Sequence, residues 1–409
     1  TGDFVPRDGE SYNYGPLNYF QRPDERWTGG MFGSYEVAEG FEASAEFQFM
    51  DDRSLAQIAP SGTFFNNNFL NCDNPLMSDQ QTTAIGCPDR NPGTTVPIYV
   101  GRRNVEGGPR FDDLQHQSSR SLVGLRGDIT ENWRFDAFVN YSRLNYSEVY
   151  NNDLSITNII RALNVVADPV TGEPVCQSVV DGSDPACVPY NVFQPGGSTA
   201  AARNYIDLPL FSKADLDMAQ VVGYVEGDLG IAFPSAGDNI SVVIGGEYRD
   251  DSMVFDLDQN YNNGNAAGQG GATADVAGSV SVTEFFTEAR IPLIQDKQFA
   301  EDLSLDLRYR FSDYNLGFDA DTWSTGVAWS PTEMVKIRAS LSRSVRAPNI
   351  NELFQPQTIG LWQGTDPCAG ATPTLTEAQC ARTGVPAGSY GSVAANPADQ
   401  YNGLFGGNP

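Results

Sequence analysis

The chain has one histidine, His116, and no long apolar run. Each scarcity closes a class of function. A single histidine cannot furnish an H-E-x-x-H zinc site, and the G-x-S-x-G, G-x-x-x-x-G-K-[ST] and EF-hand patterns are all missing. No enzymatic role and no cofactor is expected. A transmembrane helix needs about 20 consecutive apolar residues, so helical membrane proteins are excluded. Basic residues are also few, 25 Lys and Arg against 52 Asp and Glu, for a net charge of −27. Nucleic acid is thereby excluded as the main partner, because phosphate binding needs a cationic surface. The six cysteines include no CxxC, so a cysteine-ligated metal is not expected either.

What is present is alternation. Leu303 to Ser312 reads Leu-Ser-Leu-Asp-Leu-Arg-Tyr-Arg-Phe-Ser, with apolar and polar residues on opposite faces of a period-two strand. Phe41, Ala43, Ala45, Phe47 and Phe49 likewise oppose Glu42, Ser44, Glu46 and Gln48, and Val335, Ile337, Ala339 and Leu341 oppose Lys336, Arg338, Ser340 and Ser342. Phe138 is an apolar exception on the polar face of its strand. A soluble sandwich would turn such charges to solvent and its apolar face to a second sheet, whereas a membrane barrel turns the apolar face to lipid and lines a wet lumen with the charges. Alternation alone leaves both open.

Loop lengths favour the barrel. Strands are expected at 26–37, 41–53, 117–130, 133–147, 217–231, 239–256, 280–294, 302–315, 320–330 and 335–345. Their connectors alternate between short turns and long loops at 54–116, 148–216 and 257–279, with only the link near Leu316 to Asp319 out of step. Compact soluble domains usually connect elements through about 4–6 residues. Outer-membrane barrels instead combine short periplasmic turns with long outside loops. The expected fold is therefore all-β, an antiparallel transmembrane β-barrel of about ten strands that forms part of a larger barrel.

The cysteines fall into three local pairs, Cys72 with Cys87, Cys176 with Cys187 and Cys368 with Cys380, each inside one long loop. Spanning strands separate members of different pairs, which makes local disulfides the simplest of the possible connectivities. Such bonds persist in the periplasm or at the cell surface. His116 reads as a surface or interfacial residue, and the Gly/Asn/Ala-rich run Asn262 to Asp275 as a mobile loop tip. Carboxylate pairs such as Glu284 with Glu288, or Glu226 with Asp228, fit a charged lumen wall better than an acid/base dyad.

The segment Ser344 to Phe354 (SVRAPNINELF), just after Trp329 to Ser340 (WSPTEMVKIRAS), resembles the barrel signature of TonB-dependent outer-membrane receptors. Tyr12 to Trp27, Val175 to Asn191 (VCQSVVDGSDPACVPYN), Gly245 to Asp251 (GGEYRDD) and Leu307 to Tyr314 (LRYRFSDY) resemble one branch of that family in order along nearly the whole chain. Arg346, Ala347, Pro348, Glu352, Leu353 and Phe354 carry the motif, and Pro348 suits a place where strand pairing stops. A strand-terminating role in folding is preferred for it over cargo binding.

The resemblance implies active uptake of a scarce nutrient, of the siderophore, cobalamin or oligosaccharide class, across the outer membrane of a Gram-negative bacterium. It also implies outer-membrane lipid and TonB as partners. A plug domain, a TonB box and a closing strand are not recognisable, and about 22 strands are usual for plugged transporters. The expectation is that residues 1–409 are an internal fragment of a receptor barrel domain. Tyr99, Phe111, Tyr150, Tyr190 and Phe193 are candidate loop aromatics for the ligand, with loop packing or an interfacial girdle as the competing role. Arg126, Arg134, Glu284, Arg290, Arg308, Arg310 and Arg338 are candidate lumen charges for holding a plug. A passive porin and a secreted acidic ligand-binding β-protein remain as alternatives.

Overall fold

The structure is a computed structural model that describes residues 3–6, 12–64, 67–393 and 400–405. Ten strands form one sheet: β1 Asp24–Ala38, β2 Phe41–Ile58, β3 Arg110–Thr130, β4 Trp133–Leu154, β5 Asp207–Asp228, β6 Ser241–Leu257, β7 Val276–Lys297, β8 Ala300–Tyr314, β9 Phe318–Thr332 and β10 Val335–Arg343. Each pairs antiparallel with its sequence neighbours, so the strand order is the chain order and β1 and β10 are open edges. All ten expected strands are found, and no helix among the described residues is long and apolar enough to cross a membrane.

Tight turns close one end of the sheet. Glu39–Gly40 links β1 to β2, with Gly40 at φ +75°, a backbone region that L-residues avoid. The other end carries the long connections. Pro209 and Pro292 lie where the ladder shifts register, which accommodates a residue that cannot donate to it.

The strands run further toward the loop end than alternation suggests. β3 begins at Arg110 rather than near 117, β4 continues to Leu154, and β5 begins at Asp207 rather than 217. Crossing a bilayer takes about 9–11 tilted residues, whereas β4 and β5 have 22 each. Roughly half of these strands is therefore surplus to the crossing. The surplus stretches put polar residues such as Asp113, Gln115, Lys213 and Asp215 on the outward face and apolar ones such as Leu114, Leu210 and Leu216 on the inward face, and that erases the apolar-outward alternation.

The two sheet faces differ as a barrel wall requires. On the outward face Val123, Leu125, Val139, Tyr141, Val221, Ile244, Tyr248, Phe285, Leu307, Tyr309, Phe311, Val327 and Ile337 are all exposed. Nearer the loops this face turns polar. Arg53 meets Asp113 at 2.5 Å, Asp51 accepts from Gln115 and Gln117 at 3.1 Å, Arg143 meets Asp215 at 3.0 Å, and Lys213 meets Asp256 at 3.3 Å. Tyr141 donates to Asp217 at 2.5 Å where apolar gives way to polar.

Above the wall, loops 59–109, 155–206 and 258–275 fold into a cap. Helices Asp79–Ala84, Ile156–Leu163 and Ala200–Ile206 start at Ser78, Ser155 and Thr199, whose side chains accept from the first-turn amides. The apolar faces of the last two, with Ile159, Leu163 and Ile206, meet in one core with Leu70, Met77 and Leu154, while Asp79–Ala84 buries Gln81 and Thr82. Buried amides tie the loops together: Gln81 donates to the Phe193 carbonyl at 2.7 Å, Asn71 to that of Val165 at 2.7 Å, and Asn74 to that of Leu163 at 3.0 Å. Disulfides join Cys72 to Cys87 and Cys176 to Cys187 in the cap, and Cys368 to Cys380 beyond β10. The run Asn262 to Asp275 is packed, contrary to the loop-tip expectation. Ala266 and Ala267 are buried, and the Gly268 amide donates to Asp153 at 2.8 Å.

Candidate functional site

The inward face of the wall is a lattice of ion pairs set by strand register. Arg126 opposes Glu42 and bonds it at 2.9 Å, and Arg134 bonds Glu226, its partner across the β4–β5 ladder. Arg308 meets Glu288 at 3.2 Å, and Arg290 lies 3.9 Å from Asp302. Arg310 bridges Glu284 at 2.6 Å and Glu247 at 3.3 Å, with its guanidinium 5.0 Å from the Phe286 ring. Opposite charges directly across a ladder stabilise register as well as neutralise one another. All seven lumen candidates, Arg126, Arg134, Glu284, Arg290, Arg308, Arg310 and Arg338, share this face by register. Only Arg338, on the open edge strand, makes no ion pair among the described residues. Glu226, Glu284 and Glu288 are each engaged by an arginine, as suits a charged lumen wall. His116 also faces inward, its ring 5.0 Å from that of Tyr146, and is half-buried.

The loop aromatics divide. Tyr190 is 1% exposed and accepts from Arg102 at 2.6 Å, while Phe193 and Tyr150 are also buried. Tyr190 and Phe193 pack in the cap core and Tyr150 against Leu210 and Tyr261 below it, so all three present little surface to a ligand and serve packing, the competing role, in place of the ligand role expected for them. Burial pushes the Tyr190 hydroxyl pKa up. Tyr99 stays exposed on a short loop hairpin, and Phe111 is half-buried near the cap on the outward-facing register of β3.

Asp153, fully buried, is a residue that sequence reasoning missed. Its carboxylate accepts from Ser61 at 2.6 Å, from the neighbouring Leu154 amide at 2.8 Å and from the Gly268 amide at 2.8 Å, so it joins two loops to the top of β4. Nothing in Asn-Asn-Asp-Leu marks it in advance, because its donors arrive from loops distant in sequence. In the cap, Asp184 accepts from Tyr205 at 2.7 Å and Arg161 at 3.0 Å. The Tyr205 bond is the main cause of its lowered pKa, and burial lifts Tyr205 to about 12.

The segment after β10 folds onto the inward face. Arg346 grips both Glu352 oxygens at 2.8 and 2.9 Å, and Asn349 caps helix Ile350–Phe354 by exchanging bonds with Glu352. These bonds, that from Arg346 foremost, pull the Glu352 carboxyl down to about 2. Phe354 covers Gly278 of β7, where an added Cβ would lie 2.3 Å from its ring. Residues 347–351 then face the wall across a cavity of about 1180 Å³. The Pro348 segment therefore does more than end a strand. It roofs the loop-side interior.

An open antiparallel wall with an exposed apolar outer face and a charged inner face defines the transmembrane β-barrel class. The family model described as TonB dependent receptor-like, beta-barrel, matches residues 59–398, and the chain belongs to that family. Among solved structures, the ferric enterobactin receptor PfeA of Pseudomonas aeruginosa in complex with enterobactin is similar at 12% identity and a TM-score of 0.30, over 80% of this chain and 45% of that one. The same receptor in complex with BCV-L6 gives 14% identity and a TM-score of 0.32, over 85% and 47%. The chain thus spans about half the length of the solved receptors it matches. The comparison with curated proteins found no match.

Proposed function

We propose that the chain is the wall and cap of an outer-membrane receptor that imports a scarce nutrient of the siderophore, cobalamin or oligosaccharide class, driven through TonB. The observation that carries this reading is the pairing of an apolar outward band with an inward face of salt-bridged charges beneath a folded cap. Acyl chains fit the first, and a water-filled passage holding a plug fits the second. The TonB contact belongs to a plug-bearing region of the whole receptor. Arg338 and the other inward arginines are proposed to hold that plug, and Tyr99 and Phe111 remain the proposed ligand aromatics. Residues 24–58 share the ladder of the matched region, which supports treating the whole chain as one barrel domain.

The test is nutrient accumulation by cells that express the full-length receptor, with and without a functional TonB. Uptake that stops without TonB supports the reading. Permeation that continues unchanged would replace it with a passive pore.

A further inference from the structure

We infer that the loop-side half of the barrel interior is a vestibule for a cargo with apolar surface and no net negative charge. The inference rests on the uptake reading above and adds the class of molecule taken up. Register arranges the inward side chains in rows that cross the strands. One row runs Met50, Ser118, Leu144, Leu216, Met253 and Gly278 from β2 to β7. The next row toward the turns runs Gln48, Arg120, Ser142, Met218, Asp251 and Val280 over the same strands. A wet lumen is ordinarily polar, so a contiguous patch of Met50, Leu144, Leu216, Met218 and Met253 is a departure. Thioethers adapt their shape and are polarizable, which suits aromatic or aliphatic parts of a bound molecule. Residues 347–351 roof the patch, with Phe354 seated on Gly278 at its end. The half-open cleft between roof and wall, about 1180 Å³, has room for a molecule of several rings.

Charge sets the second half of the inference. Each arginine on this part of the wall is already engaged: Arg120 by Glu46 at 3.4 Å, Arg249 by Asp251 at 2.9 Å, and Arg310 by Glu247 and Glu284 together. One cation serving two carboxylates leaves a negative surplus. Glu148 adds to it nearer the mouth, where burial and this neighbouring carboxylate raise the Asp112 carboxyl to about 7 so that the two share a charge. Arg110, on the same face, is held by the Ala59 and Gly268 carbonyls. A polyanion would meet like charge with no guanidinium to receive it. Acidic linings select cations and neutral solutes by the same rule.

The test uses the full-length receptor in intact outer membranes with Met218→Cys. All six cysteines of residues 1–409 are paired, so Met218→Cys adds a free thiol to this wall, and the unsubstituted full-length receptor gives the background rate to subtract. Three externally added methanethiosulfonates, the ethyltrimethylammonium, hydroxyethyl and sulfonatoethyl forms, are compared, each normalised to its rate with free cysteine. The cationic and neutral reagents should modify the site on the order of 10-fold faster than the anionic one. Glu247→Gln with Glu284→Gln should narrow that ratio. An anionic reagent as fast as the others overturns the charge rule. If no reagent reacts while Val170→Cys on the exposed cap surface does, the patch is covered and the vestibule itself is refuted. Leu144→Cys, one row away, repeats the measurement if Met218→Cys does not assemble. These rates do not depend on TonB, so their failure is distinct from failure of the uptake reading.

Discussion

The wall and the cap use the same apolar residue types in opposite directions. In the wall, Val139 and Tyr309 stand exposed on the outward face; in the cap, Ile159 and Leu163 are sealed inside. The difference lies in what surrounds each region. The cap stands in water and hides its oil, as any soluble domain does. The wall fills its inner face with paired charges and leaves its oil outside, an arrangement that gains energy only against acyl chains. One chain therefore obeys two solvents, and the boundary falls near the hydrogen bond from Tyr141 to Asp217.

That contrast can be broken region by region. The largest effect is expected for Ile159→Asp, which buries an unpaired charge in the cap core and should cost about 4–5 kcal/mol. Protease added to intact cells would then cut the loops readily, while the wall still assembles. Leu305→Lys puts a cation on the outward face, paired with Val327, and should destabilise the assembled barrel by about 2–4 kcal/mol. Unchanged receptor levels in the outer membrane would show that Leu305 does not meet lipid. Replacing Cys72 and Cys87 together by serine opens a loop of 15 residues and should loosen the cap by about 3 kcal/mol at most. Hydrogen exchange in Asp79–Ala84 would rise, with little change in β8 or β9.

The roof segment is expected to respond to acid. The folded Glu352 pKa of about 2 lies below its ordinary value, so its contribution is complete above about pH 4.3 and is lost as pH falls through about 2. Amide protection of Ile350–Phe354, corrected for intrinsic rates, should hold to about pH 4 and drop below it, and Glu352→Gln should lower it at neutral pH. Arg53→Ala removes an exposed pair on the polar part of the outward face and should cost under about 1 kcal/mol. A loss comparable with that of Leu305→Lys would mean the collar is as critical as the apolar band.

The strands were legible wherever one face met lipid, because only there does a period of two separate apolar from polar. Arg110 to His116 pairs fully within the ladder yet reads as loop, since Phe111, Asp112, Asp113 and Gln115 show no consistent greasy side above the membrane. The inward charges were legible for the same reason, and the ladder brings each of the seven candidates except Arg338 to an ion-pair partner. The loop aromatics were not. Tyr99 and Tyr190 look alike in sequence, and only packing against a second loop seals one and leaves the other in solvent. Asp153 and the Gly268 amide lie far apart along the chain, so no local pattern could announce their bond.

By itself the sequence determined the barrel class, the face that each strand turns outward and the local pairing of the cysteines, because these depend on residues within a few positions of one another. The folding of three loops into one cap, the seating of Phe354 on Gly278 and the gathering of methionine and leucine side chains from two rows beneath the roof were decided by the tertiary structure. Each is a contact between side chains from distant segments, and only register and loop docking bring those segments together.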